Sequence, residues 1–219
     1  MNSRLSKGVI FDMDNTLLKS RINFAEMKRA IFQLLVEKQM CEPTLDWEHH
    51  TASQLIEIGR QSERNSKAIE SQMWEAVTFY EKEGMHGAVL EDHAVEVLEE
   101  LHQRYHLFIL TNNASAAARE ALAETGITHF FEEIVAREQM SALKPSPSGI
   151  HYILNQYPQW SVANWTMVGD SWIDGKAAQD GGVRFVAYRG KRLEMERNQV
   201  APIAYVDHLH ELLSIDFEC

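Results

Sequence analysis

Asp12 and Asp14 stand two residues apart in Asp12-Met13-Asp14-Asn15-Thr16, directly after the apolar run Gly8-Val9-Ile10-Phe11. In an extended segment that spacing puts both carboxyls on one side of the chain. A second acidic turn, Gly169-Asp170-Ser171-Trp172-Ile173-Asp174, follows the run Thr166-Met167-Val168. Two more runs, at 107–110 and 134–136, are followed by Thr111-Asn112-Asn113 and, further on, by Lys144-Pro145. If the four runs are strands of one sheet, these segments converge and crowd Asp12, Asp14, Asp170 and Asp174 into one pocket. Self-repulsion forbids that unless a cation sits among them. With oxygen donors alone and no neighbouring His or Cys, Mg²⁺ fits best, and it can share its coordination sphere with a phosphate. The chemistry implied is attack of a carboxylate on a phosphate ester, with Asp12 as nucleophile. Asp14, beside like charges, keeps a raised pKa and serves as acid, then base. Lys144 offsets the repulsion between two anions, and Thr111 with nearby backbone amides binds the phosphoryl oxygens.

The elements that must place these groups are legible as alternation. The runs at 8–11, 107–110, 134–136, 166–168 and 184–188 are short and rich in β-formers, as strands buried on both faces are, and 204–206 is a sixth candidate. Helical patterns lie between them: Ala94, Val95, Leu98 and Leu101; then 114–125, ending at Gly126; then a helix with Ser146 as N-cap and Pro147 at its first position. This order predicts an α/β fold, a Rossmann-like doubly wound parallel sheet whose strand carboxyl ends form a ligand crevice. Residues 20–84 break the alternation with two helical periodicities, Phe24-Met27-Ile31-Leu35 and Ile69-Met73-Val77-Tyr80. The expected division is therefore an α/β core of residues 1–19 and 85–219 with an all-helical cap of residues 20–84. That cap would serve as a lid, with Gly84 and Gly87 as its hinge.

Composition narrows the partners. The 219 residues are 45% hydrophobic and 24% charged, proportions of a folded chain and not of a disordered one. The formal charge of −11 repels nucleic acid and anionic membranes, so neither is an expected partner and a phosphorylated small molecule must meet local positive charge. Cys41 and Cys219 stand in no metal or disulfide pattern, and no leader or 18-residue apolar stretch is seen, which makes the cytoplasm the expected compartment. Oligomeric state is not encoded in any feature found.

Taken together, these motifs resemble the haloacid dehalogenase superfamily, in its phosphatase branch with a helical cap after the first strand (phosphoglycolate phosphatase-like). Asp-x-Asp-x-Thr stands at Asp12 to Thr16, the second motif at Thr111-Asn112, the third at Lys144, and the fourth at Gly169-Asp170 with Asp174. The resemblance implies a phosphoaspartate on Asp12, proton transfer by Asp14, and phosphate binding by Thr111, Asn112 and Lys144. It also implies Mg²⁺ held by Asp12, the Asp14 backbone carbonyl and Asp170, with Asp174 ligating or orienting the metal's waters. Asn15 replaces a frequent glycine, and Asn also tolerates unusual backbone angles. The expected activity is Mg²⁺-dependent hydrolysis of a small phosphorylated metabolite, a phosphoglycolate-like acid or a sugar phosphate. A phosphomutase of the same fold and a catalytically silent phospholigand-binding protein are the alternatives.

Overall fold

The computed structural model describes residues 6–217, which form two compact units. One runs to Ser20 and resumes at Gly87, and the other is Arg21–His86. The first unit opens with β1 (Gly8–Phe11) and a two-residue strand β2 (Leu18–Lys19). The second holds α1 (Phe24–Glu37), α2 (Ala52–Gln61) and α3 (Lys67–Met85). The first then continues with β3 (Val89–Leu90), α4 (Ala94–Arg104), β4 (His106–Leu110), α5 (Ser115–Glu124), β5 (Phe131–Val135) and α6 (Ser148–Gln156). It closes with β6 (Trp165–Gly169), α7 (Trp172–Asp180), β7 (Arg184–Tyr188), α8 (Arg192–Arg197) and β8 (Ala204–Val206).

Six strands form one parallel sheet in the order β5-β4-β1-β6-β7-β8. The Rossmann-like α/β architecture expected from the alternation is present. β1 and β6 are buried along their whole length, which is why they read as unbroken apolar runs instead of alternating ones. Ile10, Phe108, Leu110, Met167, Phe185 and Ala187 meet in the core with Ile150 and Ile153 of α6. The chain moves outward from β1 through β4 to β5, then crosses back to β6 on the other side of β1. The strand order thus reverses at β1, the position where an open α/β sheet leaves a crevice at its carboxyl edge.

The helical unit packs along the predicted periodicities: Met27, Ile31 and Leu35 of α1 and Met73 and Val77 of α3 are buried, whereas Phe24 at the start of α1 is 45% exposed. A third helix, α2, was not predicted, although Thr51 and Gln54 cap it reciprocally, side chain to backbone in both directions. Gly84, expected at a hinge, is part of a helix, α3. A Cβ there would fall 2.3 Å from the Ile22 Cα, so the glycine permits close passage of two backbones.

The starts of β5 and α6 and one short strand pair differ from the sequence reading. β5 starts at Phe131, because its first residues alternate in exposure and so do not read as an apolar run. α6 starts at Ser148 with Pro147 in the cap position, and Ser146 still contributes its hydroxyl to the Ser148 N–H at 3.3 Å. The antiparallel β2–β3 pair, with Lys19 opposite Val89, is too short to produce a periodicity.

Candidate active site

Each predicted site residue lies at or beyond the carboxyl end of a strand in the sheet unit. Asp12 follows β1, and its N–H donates to the Val168 carbonyl of β6 at 2.8 Å, continuing the sheet one residue past the strand. The chain then turns sharply: Asn15 takes a positive φ of 57°, and its N–H donates to the Leu18 carbonyl at 2.7 Å. A left-handed residue is needed there, and asparagine supplies it with little steric cost. Thr16, fully buried, donates its hydroxyl to Asp12 Oδ2 at 3.3 Å.

Lys144 comes from the loop before α6, yet only 1% of it is exposed. Its Nζ donates to Asp12 Oδ1 at 2.5 Å, to Asp174 Oδ1 at 2.7 Å and to the Leu110 carbonyl at 2.8 Å, three acceptors for three N–H groups. Burial alone would discharge such an amine. The Asp12 and Asp174 carboxylates overcome that and hold its pKa above the ordinary lysine value. Asn112 secures the loop that delivers it: its Nδ2 donates to the Lys144 carbonyl at 3.0 Å and its Oδ1 accepts the Lys144 N–H at 2.9 Å. The Asn112 side chain is therefore engaged with backbone.

Asp174 sits in the first turn of α7, almost wholly buried. Besides Lys144 it accepts the Ser171 N–H at 3.1 Å, closing a capping box in which Ser171 caps the helix. Thr111 accepts the Asn113 N–H at 3.2 Å on its Oγ1, which leaves its own hydroxyl hydrogen to donate elsewhere. Asn113, to which the sequence reading assigned no role, donates from Nδ2 to Asp14 Oδ2 at 2.7 Å. No residue-type pattern separates it from Asn112 beside it. Only the direction in which the turn after β4 points the two side chains does so.

Asp12, Asp170 and Asp174 each bring one carboxylate oxygen to within 4.8 Å of the others. The Asp14 carboxyl stands outside this trio, turned to Asn113. Burial pushes the Asp170 carboxyl up to about 9 and Asp14 up to about 7, with Asp12's charge the next cause in both. Ser20 and Asn113 favour the charged form of Asp14 but do not prevail. Asp174 is raised to about 6, again chiefly by burial, with Lys144 opposing. Were all four carboxyls ionised, they would outweigh the one buried ammonium near them. The oxygen-only donor set with no nitrogen or sulfur fits a hard divalent cation such as Mg²⁺.

A family model described as haloacid dehalogenase-like hydrolase matches residues 9–188. The phosphoglycolate phosphatase of Vibrio cholerae is 33% identical over 105 residues, a match spanning 48% of this chain and 46% of that protein. The phosphoglycolate phosphatase of Haemophilus influenzae (strain 86-028NP) is 27% identical over 225 residues, covering 98% of this chain and 100% of its own. Among solved structures, YfnB of Bacillus subtilis, described as a HAD-hydrolase and solved bound to magnesium, aligns with a TM-score of 0.61 at 21% identity over 97% of this chain and 98% of its own. No helix among the described residues is long and apolar enough to cross a membrane. With the motif residues gathered at the edge where the strand order reverses and the family model spanning most of the sequence, the chain belongs to the haloacid dehalogenase-like hydrolases.

Proposed function

We propose that this hydrolase is a Mg²⁺-dependent phosphatase of a small phosphorylated metabolite, a phosphoglycolate-like acid or a sugar phosphate, acting through a phosphoaspartate on Asp12. The observation that carries the reading is the contact of Lys144 Nζ with both Asp12 and Asp174, which ties three sequence-distant segments into one charged cluster beside Asp170. The names of the aligned phosphoglycolate phosphatases support the substrate class, and the magnesium in YfnB supports the metal.

Asp12 Oδ1 is anchored by Lys144, while Oδ2 is held only at 3.3 Å by Thr16, so Oδ2 is the freer oxygen to attack phosphorus. As the new P–O bond forms, the ester P–O bond breaks and Asp14 gives its proton to the leaving oxygen. Asp14, now a carboxylate, takes a proton from the water that next attacks the phosphoaspartate, which releases inorganic phosphate and restores Asp12. The Thr111 hydroxyl and the Asn112 main chain donate to phosphoryl oxygens, and Lys144 lowers the negative potential that an incoming anion meets. A divalent cation held by Asp12, Asp170, Asp174 and the Asp14 carbonyl would supply further charge neutralisation at the phosphoryl group. The helical unit, inserted directly after the aspartate turn in sequence, is the proposed cap and source of substrate selectivity.

The test is phosphate release from a panel of phosphomonoesters with Mg²⁺ and with EDTA. We expect turnover only with Mg²⁺, its loss by more than about 10³-fold in Asp12→Asn, and a phosphoryl group recovered by acid quench on the peptide containing Asp12. A wild type that turns over no ester with Mg²⁺ overturns the reading.

A further inference from the structure

Asn113 has no part in the steps just described, yet it is 5% exposed and reaches across the fold to Asp14. Both of its main-chain groups are tied: the N–H donates to Thr111 Oγ1 at 3.2 Å, and the carbonyl accepts the Arg137 N–H at 3.0 Å. The amide is thus held from both sides while its Nδ2 donates to Asp14 Oδ2 at 2.7 Å. The consequence is that the two oxygens of Asp14 are no longer equivalent. Oδ2 must present a lone pair to the amide, whereas Oδ1 is buried and has no hydrogen-bond partner among the described residues. A buried oxygen without a partner is costly unless it has something to do.

We propose that Asn113 is a positioning residue for proton transfer: by occupying Oδ2 it fixes the Asp14 carboxyl and leaves Oδ1 as the oxygen that exchanges a proton with the leaving group. This rests on the double-displacement reading above. It differs from a packing role because its effect must depend on how badly the leaving group needs a proton. An alkoxide is a poor leaving group without one, and 4-nitrophenolate departs without help.

The experiment measures kcat/KM, which reports steps through phosphoenzyme formation, for an alkyl phosphate and for 4-nitrophenyl phosphate. Asn113→Asp preserves shape while removing the donor, Asn113→Ala removes both, and Asn113→Ser offers a shorter donor. In Asn113→Asp and Asn113→Ala we expect a loss of about 100-fold with the alkyl ester and less than about threefold with the nitrophenyl ester, partly recovered in Asn113→Ser. In an Asp14→Ala background, Asn113→Ala should cost less than about twofold further, because a residue that acts through another adds nothing once that other is gone. Equal losses on both esters, or additive losses in the double variant, overturn the role of Asn113 while leaving the phosphatase reading intact. A wild type that forms no phosphoryl adduct on Asp12 with either ester overturns both.

Discussion

A carboxyl buried against other carboxyls is a proton sponge, and three of them here have folded pKa values well above the ordinary 3.8: Asp174 near 6, Asp14 near 7 and Asp170 near 9. Between about pH 4 and those values the folded chain binds more protons than the unfolded chain, so the metal-free protein must lose stability as pH rises through that window. The contribution is complete below the unfolded pKa and is spent once the folded values are passed. If the trio is the metal site proposed above, Mg²⁺ would bind only its folded, deprotonated form, so the stabilisation it confers should grow with pH, reaching about 2.7 kcal/mol at a hundredfold excess over Kd. Calorimetric Tm values from pH 5 to 9 in EDTA and in Mg²⁺ should therefore diverge, and a gap that stays constant with pH would contradict the assignment of the trio as the metal site. The gathering of Asp12, Asp14, Asp170, Asp174 and Thr111 was legible in sequence because a strand end, or the first helix turn after it, places the residues that follow, whereas Lys144 is delivered by the loop before α6. Asn113 was not, since the direction of an amide in a turn leaves no trace in residue type.

Gly169 shows what an element junction demands. It ends β6, and a Cβ there would lie 2.6–2.7 Å from the Asp174 side chain on α7. The strand and the following helix approach closely enough to bury that carboxyl only because the last strand residue has no side chain. Gly169→Ala should cost about 1–3 kcal/mol by overpacking and should weaken Mg²⁺ binding as well, because the group that must move is a candidate ligand. Differential scanning calorimetry with and without Mg²⁺ separates the two effects: loss of stability with an unchanged Mg²⁺ increment would mean that Asp174 does not hold the metal. Element identity was read correctly where burial imposed a long period, though the short α2, with Leu55, Ile56 and Gly59 buried, was missed. Strands β1 and β6 are buried throughout and β4 and β7 after their first residue, and the buried faces of α1, α3 and α4 repeat at helical spacing. It failed where packing imposes none. β2 and β3 are two residues each, and half-exposed β5 begins before its apolar stretch.

At the scale of the molecule, the β2–β3 pair matters more than its length suggests. Lys19 lies opposite Val89, so the chain leaves the sheet unit and returns to it on neighbouring strands, about 5 Å apart. The whole of Arg21–His86 is thus an excursion from what would otherwise be a β-hairpin. The Asp12, Lys144, Asp170 and Asp174 cluster and the apolar residues of the sheet core lie outside that excursion. Replacing residues 21–86 by a short Asn-Gly turn should therefore give a protein that unfolds in one cooperative transition and retains its Mg²⁺-dependent rise in Tm. If the helical unit is the source of selectivity, the shortened protein should still hydrolyse 4-nitrophenyl phosphate, while the spread of kcat/KM across a phosphomonoester panel contracts to within about tenfold, as expected when binding energy remote from the reacting phosphoryl group is removed. A panel that keeps its full spread after excision would place selectivity in the sheet unit, and a product with no cooperative transition would show that the helical residues are needed for the fold.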